Sequence, residues 1–276
     1  MKSSKYGIVI ITILLLSSCL EEVRPVLQTA PSQTVIEGIW TDNRSINEVI
    51  ISQSHDYYDS TGYKSVESAE VYIIEEDRQR RIDFQFVSSS LKYLPETNIV
   101  PREGRVYSLH VKLGGEHHVS SGTLLEAPEI DSLTYSYKEG NLIRDEGYYI
   151  KVNGKIPFEE NNYYRVKVVR NDTLLNRRGD YLLFDDTFGK GAIEDGFDID
   201  NIVFKKGDVA RVSLYRLNKD AYDYLKSLQG FLFNDGGLFS PLPENPPSNI
   251  QLLEGENAAL GYFMVGPVVT ETITIE

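Results

Sequence analysis

The chain has 276 residues with 28 Lys and Arg against 41 Asp and Glu, a formal net charge of −13. A surface that acidic repels phosphate backbones, which excludes nucleic acid as a partner. The single cysteine excludes a disulfide framework, so the core alone must hold the fold, and a chain of this length buries enough surface for that.

Lys2 and Lys5 make a short positive start, and Tyr6 to Leu16 is almost unbroken apolar chain. A run that short falls below the ~20 residues a membrane span needs. Followed by the small residues Ser17 and Ser18, it reads as an export signal over residues 1–18. Cys19 comes next. Leu16-Ser17-Ser18-Cys19 resembles the lipobox of bacterial lipoproteins, in which the chain is cut before the cysteine and the cysteine is lipidated. The plain alternative is an ordinary signal peptide with a chance cysteine. Two or more acyl chains hold a protein stably on a membrane where one does not. Leu20, Glu21 and Glu22 resemble the acidic signal that sends lipoproteins of Bacteroidetes-type bacteria to the outer face of the outer membrane. Removing residues 1–18 takes away two lysines and no acid, so the mature chain is more acidic still. Residues 19–33 lack periodicity and read as a lipidated tether.

From Thr34 the pattern is one of short strands. TVIEGIW and NEVIISQ flank the turn-like TDNRS and predict a hairpin. HDYYDSTGYKS follows as a polar loop whose Tyr57, Tyr58 and Tyr63 would present flat rings to a ligand or pack on the sheet edge. AEVYIIEE and RRIDFQFV are strands joined by a charged turn, with Ile82, Phe84 and Phe86 on one face against Asp83 and Gln85. VYSLHVKLGG and EHHVSSGTLL predict a second hairpin turning on Gly114 and Gly115. Residues 34–128 therefore read as an immunoglobulin-like β-sandwich. A boundary near Ala127-Pro128 opens a second, β-rich module over 129–276. Its strands are DSLTYSYKEG, YYIKVNG, NYYRVKVVR, DVARVSLYRL, ALGYFMVG and VVTETITI. The class is mainly β, with one short helix expected near 218–230, where Asn218 is a fair N-cap and Gly230 fits just past the end. Tyr222, Leu225 and Leu228 would face the sheet.

These segments, in this order, resemble the Bacteroidetes outer-membrane lipoproteins gathered as domain of unknown function 4249. VIEGIWTD is similar to the family's first strand and turn, VESAEVYIIEEDRQ to its alternating strand and charged turn, PEIDSLTYSY to its mid-chain junction, and NYYRVKV to the strand after it. The C-terminal match runs through Phe239-Ser240-Pro241, Pro247-Ser248-Asn249-Ile250, Gly255 and Leu260-Gly261-Tyr262-Phe263. The family brings no catalytic residues. The frequent placement of its genes beside TonB-dependent outer-membrane transporters implies such a transporter as a partner.

Candidate sites from the residues alone are few. His117 and His118 are adjacent, so on a strand they face opposite ways and do not chelate one ion. His55 and His110 have no spacing partner, and the four histidines read as solvated. EDGFDIDN gathers Asp195, Asp198 and Asp200, oxygen donors suited to calcium but not in EF-hand spacing, so a solvated acidic loop is the preferred reading. Asp131-Ser132-Leu133 and Asp172-Thr173-Leu174 resemble O-glycosylation sites. No nucleophile elbow, thiol catalyst or phosphate loop is present. The sequence thus reads as a non-enzymatic, surface-facing outer-membrane lipoprotein without a cofactor beyond its lipid. It would act as an accessory or ligand-capture subunit of a transporter. The alternatives are a stand-alone glycan- or peptide-binding protein or adhesin, and after that a hydrolase.

Overall fold

The computed structural model describes residues 31–54, 64–186, 196–234 and 245–276, and Ser32–Glu276 forms one compact unit. The lipidation and export residues Cys19, Leu20, Glu21 and Glu22 lie outside the described residues, as do Tyr57, Tyr58, Tyr63 and Asp195. Among the described residues no helix is long and apolar enough to cross a membrane.

The mainly β class holds. β1 (Thr34–Trp40) and β2 (Glu48–Gln53) form the expected antiparallel hairpin. β3 (Lys64–Ser65) adds to the β2 edge. β4 (Glu70–Glu75) and β5 (Arg80–Val87) pair through the charged turn, where Gln79 takes a left-handed φ of 49°. β6 (Lys92–Pro95), not anticipated from the sequence, pairs with β5 and meets β2. β7 (Val106–Leu113) and β8 (Glu116–Thr123) make the second hairpin, and Gly114 and Gly115 supply its positive φ angles of 60° and 88°. Those angles suit residues without a Cβ.

Two strands from the end of the chain complete this sheet. β16 (Gln251–Glu254) pairs with β8, and β17 (Leu260–Val265) runs parallel to β1, giving the order β16-β8-β7-β4-β5-β6-β2-β1-β17. The order turns at β6, so β1 and β2 pack against β4, β5 and β7 around one core. Period-two alternation sends Ile36, Trp40, Val49, Ile51, Ile73 and Leu109 inward, each no more than 1% exposed. Trp40 anchors the two layers, its ring 5.8 Å from Phe84 and 5.9 Å from Tyr107. This is a β-sandwich.

The second half builds two smaller sheets. β9 (Glu129–Lys138), β10 (Gly147–Lys155) and the short β14 (Phe197–Asp198) form one. β11 (Tyr163–Arg170), β12 (Thr173–Leu174), β13 (Leu182–Asp185), β15 (Val209–Leu217) and β18 (Val268–Thr274) form the other. Ile150 and Val152 from the first pack on Tyr164, Val166, Val212 and Leu214 from the second.

The helix, α1 (Lys219–Phe233), is longer than expected. Gly230 lies inside it rather than past its end, and the Asn234 backbone N–H closes the last turn on the Phe231 carbonyl. Arg178 covers the added Phe233 ring at 4.6 Å, so the extra turn carries a contact that the sequence pattern does not reveal. Asn218 is the N-cap, but its side chain is engaged elsewhere. It donates to the Phe263 carbonyl at 3.3 Å and accepts from the Val265 N–H at 3.2 Å, tying α1 to β17. Tyr222 and Leu225 are buried and Leu228 half-buried, as the spacing predicts, against Tyr262 and Met264 of β17.

Candidate functional site

The outward faces of β1 and β2 are not a plain solvated surface. The alternation that buries Ile36, Val49 and Ile51 turns Glu37, Ile39, Glu48 and Ile50 outward. Register sets Glu37 beside Ile50 and Ile39 beside Glu48, so acid and aliphatic side chains alternate across the pair. On β11, burial of Tyr164, Val166 and Val168 likewise turns Arg165 and Lys167 outward. These residues line a common cavity of about 230 Å³ with Tyr181 and Tyr262. A second hollow of about 420 Å³ shares Ile39, Glu48, Lys167 and Leu174 with the first and extends the cleft toward Asn43 and Arg211.

The electrostatics of the cleft are unusual for a surface. Arg165 lies over the Tyr181 ring at 4.6 Å and Lys167 over the Tyr215 ring at 5.0 Å. Among the described residues no carboxylate lies within ion-pair distance of either cation, whereas Glu48 is held by Lys92 at 2.7 Å. Burial raises the Glu37 carboxyl above its ordinary range, against the pull of Arg165. Burial, then the neighbouring charge of Arg165, brings the Lys167 ammonium down to about 8. A concave site holding several ionisable groups displaced from their usual ranges is the kind of place where proteins bind ligands. The chemistry on offer in the first hollow is the cations Arg165 and Lys167, the acids Glu37, Glu48 and Asp180, and the rings of Tyr181 and Tyr262. That set suits a small polar ligand bearing a carboxylate or several hydroxyls.

Lys167 supplies a stability test. An unfolded lysine titrates near ~10.4, so between about pH 8 and that value the unfolded chain binds more protons and stability rises with pH. Below pH 8 the full penalty of holding the half-buried cation remains. Lys167→Met is therefore expected to be more stable than the parent at pH 7 by about 1 kcal/mol after allowance for solvent screening, with the gain shrinking at pH 10. Urea denaturation at both pH values checks this. An equal effect at both, or none at pH 7, would contradict it.

The other sequence candidates fall elsewhere. Asp198 and Asp200 converge on Lys138, whose Nζ lies 3.2 Å from Asp198 and 2.8 Å from Asp200. A lysine thus occupies the space between these two acids, while Asp195 lies outside the described residues. Among the described residues no group of three His, Cys, Asp or Glu side chains is placed to hold a metal. His55 lies outside the described residues, and the other three histidines differ from the solvated reading. His118 is 1% exposed on the inward face of β8, and burial lowers its pKa. His110 Nδ1 and His117 Nε2 lie 3.0 Å apart across β7 and β8. Spacing along the chain misses this pair because strand register creates it. The cleft was missed for the same reason, since alternation shows which side chains face outward and not what they meet.

Fold and cleft define a β-rich protein with a charged hollow beside its sandwich. The chain belongs to the family described as Domain of unknown function (DUF4249), whose model matches residues 20–272. Among solved structures it is similar to the chicken interferon gamma receptor alpha chain at 12% identity, over 68% of this chain and 89% of that one, with a TM-score of 0.21. No curated protein matches the chain.

Proposed function

We propose that this protein is a non-enzymatic, lipid-anchored lipoprotein on the outer face of the outer membrane. It captures a small polar ligand for a TonB-dependent transporter and needs no cofactor beyond its lipid. The cleft carries the capture reading: Arg165 and Lys167 sit in a concave site they share with Glu37, Glu48 and Asp180, and among the described residues no carboxylate lies within ion-pair distance of either. The anchor rests on the sequence, with Lys2 and Lys5, the apolar run and the lipobox-like approach to Cys19. An anchor holds ligand-binding module and transporter at high effective concentration, so weak contacts between them suffice. A partner contact draws support from the loop joining β9 and β10. There Leu142 and Ile143 are fully exposed at a turn fixed by Asn141 Oδ1, which accepts from the Ile143 and Arg144 N–H groups at 2.9 Å.

The test is mild detergent extraction of the tagged native lipoprotein, with co-purifying proteins identified by mass spectrometry. A near-stoichiometric outer-membrane barrel is expected, and Cys19→Ala is expected to fold but leave the membrane fraction. Recovery of the protein alone would favour the stand-alone glycan- or peptide-binding reading. Membrane retention of Cys19→Ala would refute the anchor.

A further inference from the structure

The outer face of β7 and β8 carries a second constellation, independent of the cleft. His110 on β7 and His117 on β8 are diagonal neighbours, because register pairs His110 with Val119 and Lys112 with His117. Diagonal positions on one face of a twisted sheet bring long side chains into contact. Here the two rings meet with centroids 5.2 Å apart and Nδ1 of His110 3.0 Å from Nε2 of His117. With both rings neutral, one nitrogen donates the shared proton and the other accepts.

We propose that His110 and His117 form a two-histidine site for a divalent late transition-metal ion, copper(II) foremost and nickel(II) next. The donor spacing sets the preference. Two imidazole nitrogens at about 2.0–2.1 Å from one ion stand about 3 Å apart when the angle at the metal is near 90–95°. That is the adjacent-ligand angle of tetragonal copper(II) or nickel(II), and narrower than tetrahedral zinc wants. The ion sits off the line between the nitrogens, so the partly exposed His117 ring turns outward to admit it. The proton they shared moves to a remote ring nitrogen, leaving one lone pair at each inner nitrogen. No net proton is released when both rings start neutral.

His110 supplies the fixed half of the site. The Tyr72 ring stacks on it at 4.8 Å with the planes 6° apart, and the Arg81 guanidinium lies over that tyrosine at 3.7 Å. This rigidity reduces the ordering needed on binding. The neighbouring cations do not leave the patch strongly positive. Arg81 pairs with Glu70 at 2.7 Å and Asp83 at 2.6 Å, and Lys112 lies 3.7 Å from Glu70. With no third protein ligand in place among the described residues, water or an added ligand completes the coordination.

The experiment is calorimetric titration of the full-length Cys19→Ala chain with copper(II) and nickel(II) salts, since the free thiol would compete as a ligand. Electron paramagnetic resonance of the copper form identifies the donors. One ion per chain and nitrogen hyperfine structure from two imidazoles are expected. His110→Ala and His117→Ala should each weaken binding at least about tenfold. His117→Ala is expected to keep the parental unfolding midpoint, so its loss of binding reports on the site. Equal affinity in the parent and the His117→Ala chain would overturn the proposal, as would a spectrum with oxygen donors alone.

Discussion

Gly261→Ala is expected to destabilise the protein by more than about 4 kcal/mol, the range in which a substitution removes part of the native structure. Gly261 holds a φ of +119° on β17, where the strand runs parallel to β1. A Cβ there would fall on the Ile36 carbonyl oxygen, 2.6 Å from its carbon and 2.8 Å from the Ile36 nitrogen. Those are backbone atoms of a strand paired on both edges, so no rotamer change relieves the clash. β17 must leave β1, and Phe263 and Val265, both fully buried, go with it. Burial of each such side chain contributes about 1.5–3 kcal/mol. Gly104→Ala makes the control. Its φ is +73° but a Cβ would meet nothing within 4 Å, so its expected penalty is backbone strain of about 1 kcal/mol. Urea denaturation of both variants separates close approach from conformational preference. Equal midpoints would refute the packing argument. The same close approach gives the Leu260-Gly261-Tyr262-Phe263 run, part of the family resemblance, a physical reason for its glycine.

That glycine also marks where reading a sequence stops. RRIDFQFV announces β5 because Ile82 and Phe84 alternate with Asp83 and Gln85, and the strand falls on Arg80–Val87 as expected. Local pattern likewise gives both N-terminal hairpins and the start of α1. It does not show that Leu260 lies beside Val35, since parallel pairing at that separation leaves no local mark. β6 escapes notice because four residues ending in proline, preceded by Leu91 at a φ of 56°, look like a turn. The cleft was half legible. Glu37, Glu48, Arg165 and Lys167 all occupy outward positions of recognisable strands. Their convergence depends on how β11 packs beside β1 and β2, which alternation does not encode.

Arg216 decides how the segment between the two halves is held, and Arg216→Ala is expected to lower stability by about 3–5 kcal/mol. The residue is 3% exposed on β15, a depth at which a cation is seldom found without a carboxylate. Among the described residues none lies within 4 Å of it. Instead its guanidinium donates to three main-chain carbonyls: Nε to Asn161 at 3.1 Å, Nη1 to Glu126 at 2.9 Å and Nη2 to Glu160 at 3.1 Å. It also lies 3.6 Å over the Phe158 ring. Glu126 belongs to the connection between β8 and β9, while Asn161 and Glu160 precede β11, so one side chain fastens two stretches that share no sheet pairing. Truncation removes three charge-assisted bonds and leaves three carbonyls without that donor. Arg216→Lys keeps the charge but cannot span three acceptors from one planar fork, and is expected to recover less than half of the loss. Unfolding in urea measures both variants, with an unchanged denaturant slope showing that the cooperative unit is intact. Faster proteolytic cleavage between Leu124 and Glu129 in the alanine variant would locate the loosened segment. An alanine variant within about 1 kcal/mol of the parent would mean that water replaces the guanidinium at those carbonyls and that packing alone positions the connection.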